Sequence, residues 1–162
     1  MMKTIGIDQS YTKTAVVVLQ DGELDDFIVF TSNKNDDIFY RCWKLTKDIC
    51  EFADMKKPDL INIEGLSFAS FGDATRNLSG LQFSIVSKLR FELSYVVDIV
   101  SPMTLKKAAT GSGKAKKPEM IAALPEKVLT KFKDSGYKRA NGLEDLADAY
   151  HLSVFNKVKV GV

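Results

Sequence analysis

The N-terminal part of the chain contains three short stretches rich in apolar and β-branched residues, separated by polar turns. Their length and composition predict β-strands at residues 4–9, 14–19 and 26–31. The polar residues 20–23 predict a hairpin turn between the second and third strands. The chain is therefore expected to open with three antiparallel strands.

The two faces of the first predicted strand differ. Ile5 and Ile7 lie on one face, while Gly6 and Asp8 lie on the other. Gly6 leaves space beside the strand where another backbone or a ligand can approach closely. Asp8 ends the strand, where a carboxylate is well placed for a metal, although it could also simply bond its own turn.

The remainder of the chain alternates between helical and strand patterns. Apolar spacing predicts helices at residues 36–53 and 74–93, each followed by a short apolar strand, at Leu60–Glu64 and at residues 96–100. Residues 109–117 are rich in small and basic residues, which predicts a flexible loop. Asn141 is expected to cap the last helix.

This order predicts an α/β fold of the ribonuclease H type. Its sheet would be mixed and five-stranded, with three antiparallel strands plus two parallel ones, and helices would flank it. Nothing in the sequence indicates a second domain, so residues 1–162 are expected to form one domain.

Several apolar residues carry their own expectations. The helix at residues 74–93 has more apolar surface than one sheet can cover, and we place a subunit interface there. A charge at Ile85 or Leu89 is then expected to give monomers, or to prevent folding if that side of the helix is core. Trp43 is assigned to the core. The two cysteines match no zinc or disulfide spacing and are interpreted as reduced thiols in or near the core. His151 is expected to be a surface or packing residue.

The net charge of +2 is unevenly distributed. Residues 106–139 contain ten basic and three acidic residues, a net charge of +7, which leaves −5 for the rest of the chain. A basic segment on an acidic body suggests a polyanionic partner together with a cation-binding centre. No apolar run approaches the ~18 residues of a membrane helix, and a cytoplasmic protein is expected.

Four carboxylates stand out by position. Asp8 and Glu64 each end a predicted strand, and Asp145 and Asp148 share one face of the last helix. If these acids cluster, they repel one another unless cations bind between them. Their oxygen ligands favour Mg²⁺ or Mn²⁺ over zinc, and a pair of such ions can hydrolyse a phosphodiester.

The chain resembles the RuvC family of Holliday-junction resolvases over nearly its whole length. The resemblance rests on four stretches in the family's order: Gly6-Ile7-Asp8-Gln9-Ser10 with Thr12 and Thr14; Ile63-Glu64-Gly65; Pro102, Leu105-Lys106, Thr110-Gly111, Gly113, Ala115 and Lys117; and Asp145-Leu146-Ala147-Asp148-Ala149. One departure is Ala15, where the family usually has glycine. The short length is more similar to the phage-encoded branch.

The resemblance implies an endonuclease that cuts four-way DNA junctions symmetrically as a homodimer. Asp8, Glu64, Asp145 and Asp148 would be the catalytic acids and would bind two Mg²⁺ or Mn²⁺ ions. Lys117 would stabilise charge on the scissile phosphate. Further DNA contacts would come from four lysines and one aromatic residue, which would wedge against a base at the crossover: Lys106, Lys107, Lys114, Lys116 and Phe68.

Three other interpretations remain open at this point. The acids also fit a nuclease with broader branched targets such as flaps, forks and three-way junctions. A junction-binding module without catalysis is disfavoured by the four intact acids. The opening motif also resembles the phosphate loop of actin-like sugar kinases, which need two such loops and about twice this length.

Overall fold

The structure, a computed structural model, describes residues 1–67 and 72–157. Five strands and six helices follow the predicted order. Their bounds are β1 Lys3–Asp8, β2 Lys13–Gln20, β3 Glu23–Thr31, α1 Ile38–Lys56, β4 Leu60–Glu64, α2 Asp73–Ser87, β5 Val97–Val100, α3 Pro102–Thr110, α4 Lys117–Ala122, α5 Glu126–Asp134 and α6 Leu143–Val154. A π-helical turn, Lys88–Glu92, extends α2. Within these residues no helix has the length and apolarity that a membrane span requires.

The five strands form one mixed sheet in the order β3-β2-β1-β4-β5. The first three strands pair antiparallel, and β1, β4 and β5 pair parallel. The predicted sheet is therefore confirmed. Because β1 and β4 are parallel neighbours, their carboxyl ends lie side by side.

Two layers of helix cover the sheet. On one face, Ile5, Ile7, Ile61 and Ile63 are fully buried in the cluster that also contains apolar residues of α1 and α2. On the other face, α6 lies across β1, β2 and β4. Strand alternation makes β1 and β4 apolar toward the first layer, while Gly6, Asp8 and Glu64 have the parity of the α6 face.

Three expectations about local structure need correction. The predicted loop at residues 109–117 is shorter, because α3 continues to Thr110 and α4 begins at Lys117, and Ala115 between them is buried. The residue that caps α6 is Gly142, not Asn141, because the chain enters the helix through a left-handed turn at φ 95° that glycine adopts without strain. Trp43 is 58% exposed, since α1 turns it away from the sheet.

Of the two alternatives for Ile85 and Leu89, interface or core, the structure shows core. Both side chains are fully buried in the core beneath α2 and its π-helical extension, so they are not available to a second subunit. The excess apolar surface comes instead from Phe83 on α2, which is 71% exposed, and Phe91 in the π-helical turn, which is 82% exposed. The cysteines agree with expectation: Cys50 is buried, Cys42 is half-buried, and both are free thiols.

Candidate active site

The site begins at the ends of β1 and β4. Asp8 is the last residue of β1 and Glu64 is the last residue of β4. Asp8 is buried and Glu64 is half-buried, and the two side chains lie close enough to affect each other's pKa. The strand pairing predicted from the sequence therefore brings these two acids together.

Helix α6 reaches this edge because the strands beneath it carry small or polar residues. A Cβ added at Gly6 would lie 1.9 Å from the main-chain oxygen of Ala149, so only glycine permits this approach. Asn62 Nδ2 donates to the carbonyls of Leu152 and Phe155 at 2.8 and 2.9 Å. The predicted close approach at Gly6 is confirmed, and the approaching backbone is that of α6.

Asp148 and Asp145 lie on the part of α6 that passes this edge. Asp148 is buried, and its carboxylate forms an ion pair with the ammonium of Lys117, the first residue of α4. Asp145 is one turn earlier and half-buried. Asp8, Glu64, Asp148 and Lys117 thus form one group of interacting charges, with Asp145 at its margin.

The carboxyls of this group disfavour one another's ionisation. The pKa of Asp8 is raised well above its usual value, chiefly by burial and then by the charges of Glu64 and Asp148. The pKa of Glu64 is raised by burial and by Asp148. Each of these carboxyls is therefore harder to ionise in the folded protein than in water.

Lys117 supplies the compensating positive charge. Burial acts to lower the pKa of its amine, but the negative charges of Asp148, Asp8 and Glu64 outweigh burial and raise it. The pKa of Asp145 is raised by burial, while the charges of Lys117 and Lys13 oppose the rise. The group attracts cations, and Lys117 remains protonated beside it.

The other predicted basic residues lie at different distances from the acids. Lys106 on α3 is half-buried, and its charge lowers the pKa of Glu64. Lys107, Lys114 and Lys116 have exposed side chains on α3 and on the loop that follows. Only Lys117 and Lys106 are therefore electrostatically coupled to the acids among the predicted lysines.

His151 is buried between two helices. Its Nε2 lies 2.8 Å from the main-chain oxygen of Met120 on α4, so it joins α6 to the helix that carries Lys117. Burial lowers the pKa of this imidazole, although the Met120 contact and Asp148 oppose the change. The prediction of a packing residue is confirmed.

Sequence reasoning missed three polar residues around the acids: Gln9, Asn62 and Gln82. Gln9 and Gln82 donate to the main-chain oxygen of Glu64 at 3.0 and 2.8 Å. Asn62 attaches the end of α6 to β4. One sequence signal was present: Gln82 lies in the apolar stripe of its helix, four residues after Leu78 and three before Ile85, where a polar side chain needs a hydrogen-bond partner.

The described residues include neither the predicted DNA wedge nor three side chains already arranged around a metal. Phe68, the predicted DNA wedge, lies outside the described residues. Across residues 1–67 and 72–157, no three His, Cys, Asp or Glu side chains are arranged around one point so as to hold a metal. The donor chemistry nevertheless fits Mg²⁺ or Mn²⁺, since three neighbouring carboxyls, two of them buried, offer oxygen ligands, and the ion pair of Lys117 is with Asp148.

No protein-family profile matches the sequence, and no curated protein matches it. Solved structures do match. A Thermus thermophilus RuvC structure superimposes with a TM-score of 0.76 at 19% identity, covering 99% of this chain and 97% of that one. The chain has the RuvC fold. The yeast mitochondrial Holliday junction resolvase gives a TM-score of 0.69 at 15% identity, covering 94% and 76%.

A fowlpox virus Holliday junction resolvase shares the RuvC fold more distantly, with a TM-score of 0.59 at 14% identity over 94% of this chain and 96% of that one. The family resemblance seen in the sequence is confirmed at the level of the fold. In this RuvC fold, the first strand, the fourth strand and the last helix bring Asp8, Glu64 and Asp148 to one edge of the sheet.

Proposed function

We propose that this protein is a metal-dependent endonuclease that resolves four-way DNA junctions. One observation carries the proposal: three carboxyls from β1, β4 and α6, two of them buried and one half-buried, meet at one sheet edge beside a lysine. Such burial of like charges costs stability and serves no packing purpose. The RuvC fold supports this function, because a T. thermophilus RuvC has been solved with Holliday junction substrate.

The proposed activity requires divalent metal ions bound by the acids. Asp8, Glu64 and Asp148 would hold Mg²⁺ or Mn²⁺, with Asp145 as a further ligand and two ions per site. When bound, such ions activate a water and stabilise the leaving oxygen of a phosphodiester. The protein's own part is to position the acids, and a proton retained because of their raised pKa values must leave before they can act as anionic ligands.

Lys117 is proposed to act on the DNA phosphate. Its side chain is 45% exposed while its ammonium contacts the buried Asp148, so it can reach both the acids and a bound backbone. A cation at this position stabilises negative charge that grows on the phosphate in the transition state. Lys106 is proposed to support it from α3.

The remaining lysines of α3 and the following loop are proposed to bind DNA without acting in catalysis. Lys107, Lys114 and Lys116 are exposed, so their ammonium groups are free to contact phosphates. They lie on the same elements that carry Lys106 and lead into Lys117, so the DNA would be drawn toward the acids.

We further propose that the protein acts as a homodimer, which presents two sites to a junction with two strands to cut. The exposed aromatic residues of α1 and α2 form the candidate surface. Phe39 is 80% exposed, Trp43 58% and Phe83 71%, and all three line one groove between the two helices. Aromatic side chains of this kind are common anchors of protein interfaces.

The proposed activity is tested with purified protein and synthetic branched DNA. We expect paired nicks near the centre of a four-way junction in Mg²⁺ and none when the metal is chelated. Comparison with flaps, forks and three-way junctions measures how strict the preference is. Junction binding without cleavage in either metal would instead show a binding module. The phage origin and the cytoplasmic location stay predictions.

A further inference from the structure

The main-chain oxygen of Glu64 accepts two side-chain amides. Gln9 Nε2 donates from the residue after Asp8, at 3.0 Å, and Gln82 Nε2 donates from α2, at 2.8 Å. The two glutamines are 5% and 6% exposed. A buried amide is costly unless it is hydrogen-bonded, so both side chains depend on this one carbonyl.

The Gln9 bond replaces strand pairing where the sheet opens at the site. The parallel ladder between β1 and β4 ends at the pair Ile7 and Ile63. Beyond that pair, Glu64 is in register with Val100 of β5 on its other side. Gln9 therefore reaches across from β1 to Glu64 at the point where the main chains no longer pair.

The hydrogen bond from Gln9 to Glu64 opposes electrostatic repulsion between the two carboxylates at this opening. Asp8 and Glu64 lie at the ends of neighbouring parallel strands, so if both are ionised their like charges would push the strand ends apart. Gln9 draws β4 toward β1, and Gln82 draws it toward α2. Together they fix the backbone of Glu64, whose side chain must keep its place beside Asp8 when both are charged.

The Gln82 bond also links the acids to the proposed dimer surface. Gln82 lies between buried Leu81 and exposed Phe83 on the same helix. One side of α2 therefore contacts the end of β4, and the next residue projects into the aromatic groove. A subunit that bound to Phe83 would steady the helix that holds Glu64.

We infer that Gln82 and Gln9 are positioning residues for Glu64, which hold its backbone so that the acids can bind metal as a group. The inference rests on the proposed function, since it assigns these residues a part in the same site. Removing partners of this kind around metal ligands commonly weakens metal binding by about 10–100-fold.

The experiment replaces each amide with methionine, which keeps length and packing but cannot donate. The variants are Gln82→Met and Gln9→Met, and Gln20→Met is the matched control, because Gln20 also donates to a main-chain oxygen but at the far end of β2. Mn²⁺ affinity is measured by calorimetry on the DNA-free protein. Single-turnover cleavage and junction affinity are measured separately.

We expect Gln82→Met and Gln9→Met to bind Mn²⁺ about tenfold more weakly and to cut bound junction more slowly. Junction affinity should not change, and Gln20→Met should match the wild type. A role in folding alone would lower thermal stability but leave Mn²⁺ affinity of the folded protein unchanged. Gln82→Glu, whose carboxylate repels the carbonyl, serves as the second variant if the methionine variant does not fold.

The outcomes separate the two proposals. If the wild type binds Mn²⁺ and cuts junctions, while both methionine variants keep its Mn²⁺ affinity, the positioning role is wrong and the proposed function stands. If the wild type neither binds Mn²⁺ nor cuts branched DNA, both proposals are overturned. Weaker Mn²⁺ binding in Gln20→Met as well would show a general loss of stability and would reject the specific role.

Discussion

The two faces of strands β1 and β4 carry different kinds of side chain: large and apolar on one face, small and polar on the other. Toward α1 and α2, the strands present only large aliphatic residues, all fully buried. Toward α6, the same strands present glycine, asparagine and two acids, and α6 is held by hydrogen bonds to its main chain. Small and polar residues do not stabilise a hydrophobic core. We therefore place the functional site on the α6 side of β1 and β4, which we call the polar face.

Glycine substitution on the two sides of the sheet should give effects of opposite sign. Gly6→Ala forces a Cβ against the backbone of α6, so we expect stability to fall by roughly 3 kcal/mol, the upper end for overpacking. Gly80→Ala, at an exposed helical position with open space around it, should raise stability by about 0.5–1 kcal/mol. Urea unfolding of both variants measures this, and a stable Gly6→Ala protein would contradict the tight contact.

Much of this arrangement could be predicted from the sequence, because strand alternation is a local signal. It placed Gly6 and Asp8 on one face, and the end of β4 fixed Glu64. The contact between Gln82 and Glu64 joins residues 18 positions apart through a main-chain oxygen, which leaves no pattern in the sequence. Trp43 could not be assigned because an amphipathic helix with aromatics on two sides does not reveal which side meets the sheet.

The acids of the polar face should be essential for cleavage. We expect Asp8→Asn, Glu64→Gln, Asp145→Asn and Asp148→Asn each to lower the cleavage rate by at least ~10²-fold while junction binding survives. Asp25→Asn, an exposed acid in β3, is the control. Circular dichroism must show that each variant folds, and near-normal cleavage by the Asp145 variant would exclude that residue from the site.

Substitutions on α2 distinguish core from the proposed interface. Phe83→Asp should fold and sediment as a monomer, with association weakened by about thirtyfold, as for other aromatic anchors. Ile85→Asp should instead fail to fold, because its side chain is fully buried. Sedimentation at micromolar concentration and circular dichroism distinguish them. A Phe83→Asp protein that remained dimeric would move the interface elsewhere.

The lysines should separate into two classes. Lys117→Ala should slow single-turnover cleavage of fully bound junction by about tenfold, and Lys106→Ala by less, since both charges act on the acids. Lys114→Ala and Lys116→Ala should cut normally at saturation but bind more weakly, each lowering the salt dependence of log affinity by about one unit. If all four variants cleaved bound junction at equal rates, these lysines would act only by attracting the DNA.

The smallest expected effect is on the pH dependence of stability. Because burial, Glu64 and Asp148 raise the pKa of Asp8 above its usual 3.8, the folded protein keeps this proton to higher pH than the unfolded chain. The contribution of Asp8 to stability should therefore fall as pH rises above about 4, by less than about 1.4 kcal/mol per pH unit for one proton.

Asp8→Asn has no such proton to lose. Its advantage in stability over the wild type should grow with pH. Unfolding of both proteins by urea from pH 4 to pH 8 in the presence of a chelator measures this difference. Adding Mn²⁺ should reverse the order at high pH, because the ion neutralises the repulsion only where Asp8 is ionised. If the stability difference between Asp8→Asn and the wild type stayed constant with pH, the acids would be too far apart to interact. That result would contradict a metal centre at this edge of the sheet.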